Sequence, residues 1–411
     1  MSLSATSVAA HFAAATLLTT WAASQALHVV DAAGGPAATF TTLPGAVAAA
    51  APGDTLLVRT GSYGQVTIAK PLAVVADRGA SVRVTNLEIR DLAPNDLLLI
   101  RGLTVAPSLD IGLCVLNSAG VVWFEDCSFD SVGSKSFATT PAVWLDHAGT
   151  VTAIRCTARA GAPVGLGLPA SPAVLACNST LHLFDSFLKG GVGTSSFIGS
   201  ATAGGAGLDV RDASIFVQSS TIEGGDGGPG LFVLGCVSGG DGGVGALLNG
   251  TSSTLRHVAT TFVGGPGGTA PPSCAPGATG TPTQVVAGTV EDLGGPSHAL
   301  TAGGPTREGE TLTLSVDGPP GDAVSLWFAA RSSPALLPLL RGPFLLDPVG
   351  LGGFVLGTIP ASGTLSVAFP APALPAGVAV GQGFAQVIAL SPLQGAVTGS
   401  GAALLWLPAS V

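Results

Sequence analysis

The feature that most constrains this chain is an outline that returns without its letters. Residues 178–191 read NSTLHLFDSFLKGG and residues 212–225 read DASIFVQSSTIEGG. Each opens on an Asx residue, alternates apolar residues, passes a Ser and a charge, and closes on a Gly pair. Further copies are VVWFEDCSFDS from Val121, VTAIRCTARAG from Val151 and LRHVATTFVGG from Leu255, with a weaker one, LLIRGLTVAP, from Leu98. Alignment gives columns. One runs Val122, Val151, Leu181, Ile215, Leu255; a second Phe124, Ala153, Leu183, Val217, His257; a third Cys127, Cys156, Ser186, Ser220, Thr260; a fourth Phe129, Ala158, Leu188, Ile222, Phe262. A unit of this size cannot bury its apolar face alone, so the copies must stack. Stacked turns about 4.8 Å apart place each side chain on its counterpart, which demands similar shape rather than identity.

A second short strand precedes each copy: GLCVLN, AVWLDH, AVLACN, GLDVRD and ALLNG. These end at Asn117, Asp146, Asn178, Asp212 and Asn249. Asn and Asp tolerate left-handed backbone, so each is expected to make the bend between strands. From Leu98 the copies are spaced by about 24, 29, 30, 34 and 40 residues. The added length is Gly-rich: GGVGTSSFIGSATAGGAG, then GGDGGPGLFVLGCVSGGDGGVG, then GGPGGTAPPSCAPGATG. These segments read as turns in which Gly supplies positive φ. The flank that accepts insertions is often the binding face.

Composition agrees with many short strands and many turns. With 60 Gly and 30 Pro in 411 residues, long helices are excluded. The 47% apolar content excludes a disordered chain. Net charge is −9 and no Lys/Arg run occurs, which argues against nucleic-acid binding. No segment after the N-terminus is apolar and long enough to span a bilayer. Residues 8–26, VAAHFAAATLLTTWAASQA, resemble a secretory signal ending at Ser24-Gln25-Ala26; the other reading is a buried Ala-rich helix. Six Cys without CxxC or Cys/His metal spacing suit an oxidising compartment. Cys236 and Cys274 lie in neighbouring long loops and form the expected disulfide, whereas Cys127 and Cys156 read as small buried thiols in one column.

Residues 27–77 carry a further pattern. Phe40-Thr41-Thr42-Leu43 opens a short Ala-rich helix. Pro52-Gly53-Asp54 precedes a strand, followed by Gly61-Ser62-Tyr63 and by the Ile68–Leu72 segment. This resembles the opening of right-handed parallel β-helix proteins of the pectin-lyase-like superfamily, with similarity over roughly 27–285. The resemblance implies an all-β chain with a right-handed parallel β-helix at 27–289 and an N-terminal capping helix; the signal peptide expected from its own residues occupies 1–26. Residues 290–411 lose the columns. Runs such as TLTLSV (311–316), AVSLWFAA (323–330), FAQVIAL (384–390) and AALLWL (402–407) suggest an antiparallel β-sandwich. That module is similar to β-rich C-terminal modules of secreted bacterial proteins.

The superfamily hosts lyases, hydrolases and proteins without catalysis, so fold alone assigns no function. The familiar chemistries use clustered carboxylates holding calcium beside a basic residue, or paired carboxylates with Gly-His-Gly and Arg-x-Lys segments. None of those segments occurs here. The catalytic candidates are Asp126, Arg155 and Asp185, one column in successive turns, with Asp130, Arg159, Lys189 and Glu223 one step away. One reading is a cleft for calcium or sugar acids. The other is an exposed ladder of alternating charge. An outward column with Trp123, His182 and Phe216 supplies glycan-contact candidates. Asp226 and Asp241 sit in GGDGG segments that only loosely match Gly/Asp calcium repeats. No cofactor is implied, with calcium the one metal left open. The expectation is a secreted or cell-surface scaffold, adhesive or glycan-contacting. The alternatives are a lyase or hydrolase of acidic polysaccharide, and a carbohydrate-binding protein using the aromatic face.

Overall fold

The computed structural model describes residues 25–35, 37–107, 111–133, 140–196, 200–232, 235–371, 373–392 and 395–411. Of the signal-like segment at 8–26, residues 8–24 lie outside them. The chain divides into two compact units. One holds His28–Pro52 and Leu56–Gly295, and the other is built chiefly of Pro296–Val411.

The first unit is a parallel β-helix. Its turns pair in parallel, so Leu98, Val122, Val151, Leu181, Ile215 and Leu255 form one ladder, and Ile100, Phe124, Ala153, Leu183, Val217 and His257 the next but one. All of these except the half-buried His257 belong to one buried core. The fourth column pairs as Phe129, Ala158, Leu188, Ile222 and Phe262. Leu43–Ala49 forms a single short helix that starts with Pro44 in its first turn, where a missing N–H costs nothing. It buries Leu43, Ala46 and Val47 in the core beside Val30 and Leu56, closing the start of the coil. The last parallel strand, Thr289–Asp292, pairs with Thr254–Val258, so the coil runs on past residue 289.

Two left-handed corners shape each turn. At one, Asn117, Asn178 and Asp212 have φ of 48°, 47° and 50°. The bend expected at Asp146 falls instead on His147 (φ 50°), and Asn249 is not left-handed either, the corner there being made at Gly250 with an extended φ of 159°. The register explains both shifts. Asp146 lies beside Leu116 and Cys177 as a strand residue, so its neighbour takes the bend; Leu248 lies beside Val210, which aligns Gly250 with Asp212. At the other corner, Asp126, Arg155, Asp185, Ser219 and Ala259 have φ between 47° and 55°. The column that follows them seals this corner. Ser186 Oγ donates to Phe184 O (2.7 Å) and accepts from Cys156 N (3.0 Å); Ser220 Oγ donates to Gln218 O (2.9 Å) and accepts from Ser186 N (3.0 Å). Each hydroxyl thereby bonds backbone groups of two turns.

The second unit is an antiparallel β-sandwich. A three-stranded sheet comprises Ala299–Ala302, Thr311–Asp317 and Thr364–Pro370. A five-stranded sheet comprises Thr306–Arg307, Gly395–Leu407, Gly381–Ser391, Ala323–Ala329 and Gly352–Thr358. Leu300, Leu314 and Val316 of one sheet share a core with Leu326, Val387 and Leu404 of the other.

Candidate functional site

Asp126, Arg155 and Asp185 share a column because each occupies the second left-handed corner. That conformation favours short polar side chains that bond locally, which supplies a structural reason for the two aspartates. Around Asp126 and Arg155 the fold adds two residues that the sequence did not single out, Arg101 and Glu125. Arg155 Nη2 reaches Glu125 Oε1 (2.5 Å) and Arg155 Nε reaches Asp126 Oδ1 (2.7 Å). Arg101 bonds the same two carboxylates at 3.2 Å each. Trp123 Nε1 donates to the second oxygen of Glu125 (3.3 Å). Glu125 is wholly buried. Burial alone would lower the Arg155 pKa, but Glu125 and Asp126 outweigh it and raise the value. The result is a compact set of two anions and two cations that satisfy one another. Asp185 lies one turn further on, with its backbone N–H on Gln218 O (3.0 Å).

The neighbouring ladder has the register read from the sequence: Asp130, Arg159, Lys189, Glu223. Lys189 pairs with Asp226 (3.5 Å) and lies 3.9 Å from Glu223. Arg159 stacks over the Phe187 ring at 5.4 Å. Asp241, in the second GGDGG segment, accepts from Ala278 N (2.8 Å). Among the described residues no three His, Cys, Asp or Glu side chains converge as a metal set.

The aromatic column is placed as expected but is not exposed. Trp123 pairs with Thr152, Thr152 with His182 and His182 with Phe216. Their exposures are 0%, 0%, 5% and 3%. This sheet is buried on its outer as well as its inner face, so these rings have no open surface for a sugar. Burial depresses the His182 pKa to about 4. An aromatic with partial exposure sits on another outward row instead: Trp144, paired with Cys114 and Leu175, with Asp209 next in line and held by Arg211 at 2.7 Å. Strand alternation in AVWLDH is the signal that could have found it, but nothing in the sequence separates a covered outer row from an open one. A recess of about 340 Å³ lies elsewhere on the coil unit, lined by Asp31, Arg59, Thr60, Asp77 and Arg78; Arg59 is paired with Asp31 across 3.4 Å.

The Gly-rich segments are not turns. Six extended runs, 190–194, 201–207, 223–230, 237–245, 263–269 and 275–281, lie in two layers. They bond between runs at every third residue. In one layer Gly190 and Gly193 donate to Glu223 and Asp226 O (2.9 and 2.8 Å), and Gly224, Gly227 and Gly230 donate to Val263, Pro266 and Thr269 O (2.8, 2.9 and 2.7 Å). In the other, Ala201, Gly204 and Gly207 donate to Ser238, Asp241 and Val244 O (2.9, 2.9 and 3.0 Å), and Gly239, Gly242 and Gly245 donate to Ala275, Ala278 and Thr281 O (3.0, 2.8 and 3.0 Å). The layers are joined through Gly205 to Gly191, Gly225 to Gly205, Gly243 to Gly225 and Gly265 to Gly243 (2.7–2.8 Å).

A period of three without bonds inside a run is that of polyproline II. None of these glycines is left-handed. They are glycine because the runs touch: a Cβ on Gly225 would lie 1.9 Å from Gly191 O, and one on Gly265 2.0 Å from Gly225 O. The spacing GG-x-GG carried this signal, since only glycine fits where backbones meet every third residue.

Cys236 and Cys274, in the outer connections of this bundle, are bonded, with Cα atoms 5.4 Å apart. Phe232, beside Cys236, is 66% exposed. Cys127 and Cys156 are buried thiols, and burial pushes the Cys156 pKa well up. No family model, curated protein or solved structure matches this chain.

Proposed function

We propose that the chain is a secreted or cell-surface scaffold of the pectin-lyase-like β-helix type, without catalysis, whose glycine bundle is its contact surface. One observation carries the reading. The insertions that lengthen turn by turn build a hydrogen-bonded bundle, and its disulfide-tied outer end holds Phe232 two-thirds exposed. A preorganised surface binds with little ordering cost. The disulfide favours an oxidising location. The Asp126–Arg155 cluster, by contrast, has its charges already neutralised, and a catalytic carboxylate needs a free oxygen facing substrate.

A lyase or hydrolase at Asp126, Arg155 and Asp185 remains the competing enzyme reading. A second binding reading, glycan contact on an aromatic face, moves from Trp123 to Trp144, because Trp144 is half-buried where Trp123 is wholly buried.

The test is a glycan-array and cell-surface binding screen with and without calcium, beside a turnover assay on acidic polysaccharides. The bundle reading expects binding that Phe232→Ser weakens at least about tenfold with the coil intact, and no turnover. Loss of binding in Trp144→Ala alone transfers the site to that face. Turnover abolished by Asp126→Asn restores the enzyme reading.

A further inference from the structure

Every turn of the coil hands a row of N–H and C=O groups to the next. The last turn has no recipient within the coil. Among the described residues its strands Thr261–Val263, Thr283–Val285 and Thr289–Asp292 each pair on one side only, with Thr221–Glu223, Ala246–Leu248 and Thr254–Val258. Val263, Val285, Val286 and Val290 are 41%, 49%, 64% and 37% exposed. The bundle ends in the same way. Gly190 and Gly224 each donate to the next run of their layer, whereas the equivalent Gly264 and Gly267 N–H groups have no acceptor among the described residues.

Sheet edges of this kind are ordinarily blunted by Lys, Pro or inward charge. None of the three strands contains Lys or Pro; of the two acids on the last strand, Glu291 is drawn onto Arg256 at 2.9 Å and Asp292 lies 3.6 Å from His257. We infer that this open last turn is a self-association surface, and that its occupant is the last turn of a second copy of this chain.

Two observations select that occupant. The strands of the last turn are parallel to the turn before, and a free strand edge can still pair antiparallel with its own copy about a two-fold axis. The bundle edge is more selective. Runs meet closely enough that a Cβ on Gly225 or Gly265 would fall about 2 Å from a carbonyl of the run beneath. A covering run must therefore present glycine at every third position. A two-fold axis along the bundle lays the sixth run of one copy over the fifth run of the other, glycine against glycine. The interface thus closes the open edge of the coil across a two-fold axis and sets bundle run against bundle run.

The experiment is sedimentation velocity on the full chain over a concentration range, paired with hydrogen exchange. The wild type is expected to dimerise, with exchange at Gly264, Gly267 and Val290 slowing as concentration rises. Val285→Lys with Val290→Lys puts two ammonium groups from each copy into the contact, and is expected to raise the dimer dissociation constant at least about a hundredfold. Val349→Lys, at an exposed position of the sandwich unit, should leave it unchanged. A wild type that stays monomeric at the highest attainable concentration overturns the inference. So does a dimer that survives the double substitution, or concentration-independent protection of Gly264 and Gly267. Failure of the glycan screen bears on none of these outcomes.

Discussion

Replacing Gly225 with Ala tests the close contacts of the bundle by the sign of its effect, because the same change in an uncrowded, mobile loop of negative φ would act the other way. The new Cβ would lie 1.9 Å from Gly191 O and 2.6 Å from Gly191 C, where ordinary contact begins at 3.4 Å. The runs must part by roughly 1.5 Å to admit it, the difference between those two distances. That movement breaks the 2.8 Å bonds from Gly225 to Gly205 and from Gly205 to Gly191. Two bonds at about 1 kcal/mol each, with overpacking of about 1–3 kcal/mol, give a loss of roughly 3–5 kcal/mol.

A glycine in a mobile loop behaves oppositely. Ala there restricts the unfolded chain and gains about 0.4–1 kcal/mol. Because the bundle can open without the coil unfolding, local hydrogen exchange is the better assay. Exchange at Gly205, Gly225 and Gly243 should accelerate about a hundredfold or more, since each 1.4 kcal/mol is a factor of ten. Gly64→Ala, whose Cβ meets nothing within 4 Å, serves as the control. Unchanged protection in Gly225→Ala, or a higher unfolding free energy, would refute the close-contact argument.

Glu125→Ala should cost about 3–5 kcal/mol in chemical denaturation, because it strands the Arg101 and Arg155 charges in a desolvated corner. His182 predicts a pH slope. Its folded pKa of about 4 lies below its unfolded value of 6.5, so the unfolded chain takes up the proton first and stability falls as pH drops from about 6.5 to about 4. The loss approaches roughly 3 kcal/mol, and His182→Phe should flatten that part of the stability–pH curve. Non-reducing peptide mapping should recover a Cys236–Cys274 peptide. Cys274→Ser should cost up to about 4 kcal/mol by the loop-entropy model for a 38-residue separation, and less where the bundle's own bonds already hold the loop.

The ladders through Leu181 and Ile215 were legible because an inward side chain can touch only its counterparts, so similarity of shape survives changes of letter. The bends at Asn117, Asn178 and Asp212 were legible for a local reason, the left-handed tolerance of Asx residues. His147 was missed because one residue of phase cannot be read from the six-residue segment AVWLDH. Trp123 and Phe216 were correctly placed outward, yet alternation says nothing about what lies against an outer face. Glu125 was hidden for the same reason: an acidic residue at the end of a strand looks solvated until Arg101 and Arg155 are brought to it. The bundle escaped because its period of three carries no apolar signal, and Gly pairs resemble turns when only conformational freedom is considered.

The bundle also bears on how such a chain lengthens. Because its bonds recur every third residue, one Gly-Gly-x triplet added to each of two adjoining runs extends the pair by roughly 9 Å and restores the same bonding at the new tip. The coil beneath need not change a single side chain. Reach thus grows in fixed quanta, like a telescoping mast on an unaltered base.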